Sequence, residues 1–405
     1  MTNAATSHAT DYAQTFRCIG PDCEDSCCQG WQITLDQPAL VQLQKLPDTA
    51  LQAILNSQII AHPTGSPETQ VAHFQLSADR ACPCLRSDHL CSIHAQYGED
   101  FLPLGCRLFP RVRNRIDETL ETSLSLSCPE AARLVLADPL LFQAFAQSPA
   151  DLLDAIRTAP SSTHTPQPTP AMLFWPLRQL HLAILLDRSR PMAERLILLG
   201  ELARSMDRDP NGIRALRGFR RQLQNSAAHP PATTAPTLLA FALTALDAAL
   251  SANPENRRFH ALVACFLSGM QYTPQSTEES LAARYQILRD DWLDPFLSRH
   301  PRLLENYLVN QVIRNLYPFA SPSQSPAEAS FFQQFSALLL EWTLIRIVCA
   351  GISGRHRDQL TQQHLIDAIQ SLSRAIFHDQ NHLPDMQSTF LEHIQSLPLT
   401  TLLAL

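Results

Sequence analysis

Apolar residues recur at two different periods along this chain, and the change of period divides it. In the first third the runs are short. Asp36 with Pro38 opens a predicted helix carrying Leu40, Val41 and Leu43 on one face, and Pro47 ends it. Asp48 is placed to cap a second helix with Leu51, Ile54, Leu55 and Ile59. From Ile116 to Ser127, Leu120, Thr122, Leu124 and Leu126 alternate with polar neighbours, the mark of a half-buried strand, and a shorter strand is predicted over Val71 to Leu76. Later in the chain the period is helical. Leu365, Ile366, Ile369, Leu372 and Ile376 follow a cap at Thr361, and segments near 171–205, 236–252, 258–271, 277–297 and 328–350 share the pattern. No repeat of fixed period occurs. The prediction is a mainly α protein: a small mixed α/β, cysteine-rich metal-binding region over 1–135, a helix and Pro/Thr-rich linker over 136–170, and an all-helical domain over 171–405. Thr158–Pro170, Ser226–Pro236 and Tyr317–Pro326 read as linkers or surface loops.

Composition narrows the function classes. The chain is 45% hydrophobic and 17% charged, enough to bury a sizeable core. A net charge of -7 argues against a nucleic-acid partner. Met1 to Phe16 lacks the basic start and apolar block of a secretory signal. The longest apolar run, Leu338 to Gly351, is interrupted by Glu341 and Arg346 and falls short of the ~18 residues of a membrane span. A soluble, cytoplasmic protein is the expectation.

Cysteine usage supplies the chemistry. Of 11 cysteines, nine lie between Cys18 and Cys128: Cys18, Cys23, Cys27 and Cys28, then Cys82, Cys84 and Cys91, then Cys106 and Cys128. In a reducing compartment such clustering favours metal ligation over disulfides. Thiolates are soft donors that select iron–sulfur clusters or zinc, and distant groups can close a cage that also ties the fold together. Zinc would fit two four-cysteine sites, but the paired C-x2-C knuckle is missing, so spacing favours iron–sulfur with zinc as the alternative. Side chains of the neighbours Cys27 and Cys28 diverge, so one of the pair serves the cluster while the other serves a second site or packs. His73, His89 and His94 lie nearby and read as ordinary surface or hydrogen-bonded histidines. Cys265 and Cys349, in apolar helical surroundings, are expected to be core residues.

At these motifs the chain resembles the flagellin lysine-N-methylase family. The likeness rests on FRCIGPDCEDSCCQGWQITLD at Phe16–Asp36, Cys82-Pro83 with Cys91, CRLFPR at Cys106–Arg111 and SLSLSCPE at Ser123–Glu130, in the family's order. It is close over the first 135 residues and only general beyond. Cys84 departs from the family pattern, so the ligand set carried over is Cys18, Cys23, Cys27, Cys28, Cys82, Cys91, Cys106 and Cys128. The resemblance implies methyl transfer from S-adenosylmethionine to lysine side chains of flagellin, with an iron–sulfur cluster, 4Fe–4S in kind, taking part.

The residues themselves bear on such a reaction. The chain has 11 glycines and no G-x-G, so a conventional Rossmann cofactor loop is not expected. The C-x3-C-x2-C triplet of radical enzymes is also missing. Lysine amines, with a pKa of about 10.4, must lose a proton before attacking a methyl group. Glu24, Asp25, Tyr97 and Glu130 are the candidate bases beside the cysteine motifs. Trp31 is placed to stack on adenine or a cation, and Arg107 and Arg111 to hold the cofactor's carboxylate. The competing readings are a non-catalytic zinc- or iron-binding module and a partner-binding scaffold.

Overall fold

A computed structural model of the chain describes residues 11–47, 49–63, 71–116, 119–142, 174–209, 216, 219, 236–319, 330–378, 382–395, 397 and 399. The loop expected at Thr158–Pro170, almost all of that at Ser226–Pro236, and most of that at Tyr317–Pro326 lie outside these residues, as do Met1 to Thr10 and Asp48.

The front region folds much as its pattern predicts. After a single helical turn, α1 (Asp11–Thr15), comes a three-stranded antiparallel sheet of β1 (Thr34–Leu35), β2 (Ile59–Ala61) and β3 (Ala72–Phe74), with β3 in the middle. Asp36 caps α2 (Gln37–Gln44), its carboxylate accepting from the Ala39 N–H at 2.7 Å, with Pro38 in the first turn. Helix α3 (Thr49–Gln58) follows. Two positions differ from expectation. Val41 is exposed, because Ala39 and Leu43 form the buried stripe. Ile59 leaves the second helix to pair with Phe74 as the first residue of β2. Ile33, Leu35, Leu43, Leu51, Leu55, Phe74 and Ile93 make a small core that also buries Cys82 and Cys84.

The strand predicted near 116–127 exists as β5 (Thr119–Leu124), paired with β4 (Arg111–Ile116) in a two-stranded ribbon, but its buried face is inverted toward the tip. Glu121 and Ser123 face inward, while Leu120 is 55% exposed. The cause lies far along the chain: Arg178 in α7 (Phe174–Leu186) is buried and forms an ion pair with Glu121 at 2.7 Å. Only Leu124 and Leu126, at the ribbon's base, reach the core as expected.

The rest is helical: α7, α8 (Met192–Arg208), α9 (Pro236–Ala252), α10 (Arg257–Met270), α11 (Glu278–Leu288), α12 (Asp294–Arg299), α13 (Arg302–Arg314), α14 (Phe331–His356), α15 (Gln362–Leu372) and α16 (Leu383–Ile394). Thr361 caps α15 in a reciprocal box with His364, and the five predicted apolar positions are buried. Helix α13 was not legible from periodicity because it is buried all round. Its polar residues are satisfied internally: the Asn306 amide donates to the Val135 and Asp138 carbonyls, Asn310 bonds Leu124 and Tyr12, and Glu305 pairs with Arg188 and Arg195. By length and composition α14 is apolar enough to cross a membrane despite Glu341 and Arg346, yet 94% of its apolar window is buried within the fold. Tyr307 and Gln311 donate to the Glu341 carboxylate there. Cys349 is a core residue as expected, whereas Cys265 is only half-buried, its sulfur 3.7 Å from His356 Nε2.

Buried His181 carries a pH dependence. Burial draws its imidazole down to about 4, although its ring N–H reaches the Leu177 carbonyl at 2.6 Å. A histidine depressed from ~6.5 contributes stability in full above its unfolded pKa and loses it as pH falls through 6.5 toward 4. The loss should reach roughly 3 kcal/mol. Urea unfolding at a series of pH values should show this slope, and His181→Phe should flatten it; an unchanged slope in the variant would refute the assignment.

Candidate metal centre

The cysteine stretches are drawn together by backbone pairing. Residues 27–30 run antiparallel to 80–82: Gly30 N–H bonds the Arg80 carbonyl at 3.0 Å, and Cys82 N–H bonds the Cys28 carbonyl at 2.8 Å. The next turn brings 84–85 against 91–92, with Ser92 N–H on the Cys84 carbonyl at 2.7 Å. Gly20 and Gly30, at φ of 60° and 84°, take left-handed conformations that suit glycine on either side of the first loop. Cys91 precedes α4 (Ser92–Tyr97), Cys106 lies within α5 (Leu104–Leu108), and Cys128 precedes α6 (Pro129–Ala137).

These placements put thiols within reach of one another. The Cys28 thiol bonds to Cys27 and Cys91, which, with burial, holds its proton firmly. The Cys84 thiol bonds to Cys82 and is held protonated in the same way. Hydrogen bonding from Cys28 draws Cys91 down to about 6 against burial, helped by the N–H groups of His94 and Ile93. Cys27 is lowered first by Cys28 and, against burial, by Arg374. Burial raises Cys106, which also feels Cys27, Cys82 and Cys91. Burial pushes Cys128 up to about 12, although the Ala131 and Glu130 N–H groups oppose it, and Cys128 also feels Cys23 and Cys27. Eight cysteines thus form one connected group that includes Cys84. Cys18 is exposed, its sulfur accepting from the Gly20 N–H at 3.4 Å. Among the described residues no three His, Cys, Asp or Glu side chains are gathered tightly enough to hold a single metal ion. The thiols draw on both cores: Cys82 and Cys84 belong to the small core and Cys128 to the large one.

Residues of α10, α15 and the turn after α15 hold the cysteine-bearing loops. Just past α15, Arg374 pairs with the Asp25 carboxylate at 2.8 Å and donates to the carbonyls of Ser26 at 2.9 Å and Gln29 at 2.8 Å. Gln370 donates to Asp25 at 2.8 Å and to the Ser127 carbonyl at 2.9 Å, joining the first and last cysteine stretches. Arg258 bonds Gln370 and Asp367 and lies 3.8 Å from Glu24. Local spacing cannot reveal these partners, which stand some 345 residues from the loop they hold. The Asp25–Arg374 side chains are only 11% and 15% exposed, so Arg374→Ala strands a largely buried carboxylate and should cost about 3 kcal/mol. Urea midpoints of the two proteins measure this, and equal midpoints would show that the clamp does not carry stability.

The other candidates are also accounted for. Glu24 pairs with Arg133, which also holds Glu130 at 2.9 Å; partial burial opposes the effect, yet the Arg133 and Arg258 guanidiniums pull Glu24 below the usual carboxylate range. Tyr97 packs on Phe101 at the edge of the small core. Trp31 donates its indole N–H to the Cys27 carbonyl and faces Phe109, so it braces the loop. Arg111 lies over the Phe16 ring at 5.2 Å and donates to the Phe16 carbonyl, whereas Arg107 is exposed beside Cys106. His73 bonds His62 at 2.8 Å.

Fold and site together define a largely helical protein whose N-terminal cysteine stretches are held by residues near its C-terminal end. The profile of the FliB lysine N-methylase C-terminal domain matches residues 178–403, more than half of the chain, and the chain belongs to that family. The match extends the likeness well beyond the first 135 residues and takes in Arg258, Gln370 and Arg374. The chain is also similar to the lysine-N-methylase of Salmonella choleraesuis (strain SC-B67), 35% identical over 125 residues, 31% of each protein. The lysine-N-methylase of Salmonella typhimurium (strain LT2) is 33% identical over 129 residues, 32% of each. The flagellar biosynthetic protein FliU of Salmonella muenchen is 34% identical over 125 residues, 31% of this chain and 73% of FliU. The matched stretch thus spans about a third of the two methylases. No solved structure matches the chain.

Proposed function

We propose that this protein transfers methyl groups from S-adenosylmethionine to lysine side chains of flagellin in the cytoplasm, with an iron–sulfur cluster held by its front cysteines. One observation carries the reading: cysteines from five separate stretches converge under a clamp formed by the domain that matches the methylase family. The donor set fits the group, being all soft thiols. Crowded thiols also resist joint ionisation unless a cationic centre compensates them.

Three of Cys23, Cys27, Cys28, Cys82, Cys91, Cys106 and Cys128 would hold a four-iron cluster with one iron left open, with Cys84 beside Cys82. When bound, an iron with an open position supplies a seat for the amino and carboxylate groups of S-adenosylmethionine. Arg107, exposed one residue after Cys106, is placed to bind that carboxylate, while Arg111 is committed to Phe16. Trp31 and Phe109 form an aromatic wall beside Cys27 against which a ring can pack. Glu24, Asp25 and Glu130 each face a guanidinium, which favours their holding the loops over accepting a proton. Deprotonation of the lysine therefore rests on desolvation of its amine at the aromatic wall, with Tyr97 as the remaining candidate base.

Anaerobically purified protein should be brown, contain iron, absorb near ~400 nm and transfer labelled methyl groups to flagellin lysines. Colourless protein with stoichiometric zinc and no transfer would instead support a non-catalytic metal-binding module.

A further inference from the structure

The ribbon β4–β5 is not used by the chemistry above, and its outer face carries exposed arginines. Arg111, Arg113 and Arg115 alternate along β4 and so share a face. Arg111 is committed at the base, but Arg113 and Arg115 are exposed and have no ion-pair partner among the described residues. Several other arginines, among them Arg80, Arg133, Arg178, Arg195, Arg258, Arg346 and Arg374, instead face carboxylates. These two guanidiniums, unpaired among the described residues, put positive charge on this face of a chain of net charge -7. Across the register from them stand Thr122 and the exposed Leu120. No other strand among the described residues pairs with the ribbon, whose inner side is tied to α13 through Asn114. Its base is joined by short segments to Cys106 on one side and Cys128 on the other.

We propose that this face docks an acidic, extended segment of the protein substrate; the proposal rests on the protein-lysine reading above. Side chains two residues apart on a strand are roughly 6.7 Å apart, so Arg113 and Arg115 match alternate carboxylates of an extended peptide. Arginine binds carboxylates in bidentate fashion, and an added strand gains main-chain hydrogen bonds at a free edge. Such a segment would run along the ribbon and deliver a neighbouring lysine to the cysteines joined to its base. Acidic residues flanking the target lysine thus become part of the specificity.

The test uses the full chain and Arg113→Glu/Arg115→Glu, with Arg113→Lys/Arg115→Lys as the charge-preserving control. A fluorescein-labelled peptide of alternating glutamate and threonine is followed by anisotropy at low and raised salt. Wild type should bind it in a salt-sensitive way. The glutamate variant should lose about tenfold in affinity and the lysine variant much less. With flagellin as substrate, the glutamate variant's loss should fall on KM. Equal peptide binding by wild type and the glutamate variant would overturn the proposal. So would a preference of this face for oligouridylate over the peptide, lost in the same variant, which would assign it to nucleic acid. If wild type methylates no flagellin, the functional reading fails, while the peptide measurement still decides the docking face.

Discussion

Cys27→Ala is expected to strip iron from the protein and to cut methyl transfer by about 100-fold or more, while Cys18→Ala retains both within about twofold. The contrast follows from where the two sulfurs lie. Cys27 interacts with Cys28, and its charge acts on Cys23, Cys106 and Cys128, which belong to two further stretches besides its own. Arg374 lies close enough to favour its thiolate, the form a metal requires. Its carbonyl also anchors the Trp31 indole, so the side chain is held in position by its own backbone contacts. Cys18 is exposed and bonded only to the nearby Gly20 N–H. Iron per chain, absorbance near ~400 nm and labelled-methyl transfer are measured on all three proteins, with circular dichroism to confirm that each is folded. Full iron and full transfer in Cys27→Ala would remove the proposed mechanism, and a folded Cys18→Ala that loses as much as Cys27→Ala would redraw the ligand set.

What the sequence disclosed and what it concealed have separate physical causes. Capping and periodicity are local, so Asp36 and Thr361 could be read as helix starts and the α15 stripe as a core face. Cysteine clustering is compositional, so a set of cysteines interacting in the fold could be anticipated without knowing their arrangement. Polar burial is decided by partners far along the chain. Glu121 reads as a solvent residue until Arg178 is placed beside it, and that pair turns the ribbon over. Asn306, Asn310 and Gln311 made α13 look like no amphipathic helix, although each meets a specific buried partner. The same limit hid the clamp: Arg374 and Gln370 lie in an unremarkable helical stretch, and only the tertiary structure brings them to Asp25. The carboxylates singled out as bases, Glu24, Asp25 and Glu130, sit near the cysteines as the sequence places them, but in ion pairs that spacing could not foresee.

Gly269→Ala should be the most damaging single methyl group that can be added to the helical domain. Helices α10 and α14 meet backbone to backbone at Gly269, Gly351 and Gly354. A Cβ at Gly269 would lie 1.8 Å from the Gly351 carbonyl oxygen and 2.7 Å from its carbon. Both atoms are backbone, so no rotamer change can relieve the overlap and the helices must separate. At Gly351 the obstacles are the Phe266 ring at 2.4 Å and the Phe266 carbonyl at 2.9 Å, and at Gly354 chiefly the Leu288 side chain at 2.5 Å, which can yield in part. Alanine is favoured over glycine inside a helix by about 1 kcal/mol, but overpacking against an immovable neighbour outweighs that gain. The expected destabilisation is about 4 kcal/mol or more for Gly269→Ala, less for Gly351→Ala, and least for Gly354→Ala. Because Arg258 near the start of α10 bonds Gln370 and Asp367, forcing α10 away should also loosen the grip on the cysteine loop and lower iron retention. Urea midpoints of the three variants provide the ranking. A Gly269→Ala protein as stable as wild type would mean that helix propensity prevails and that α10 and α14 do not cross at these glycines.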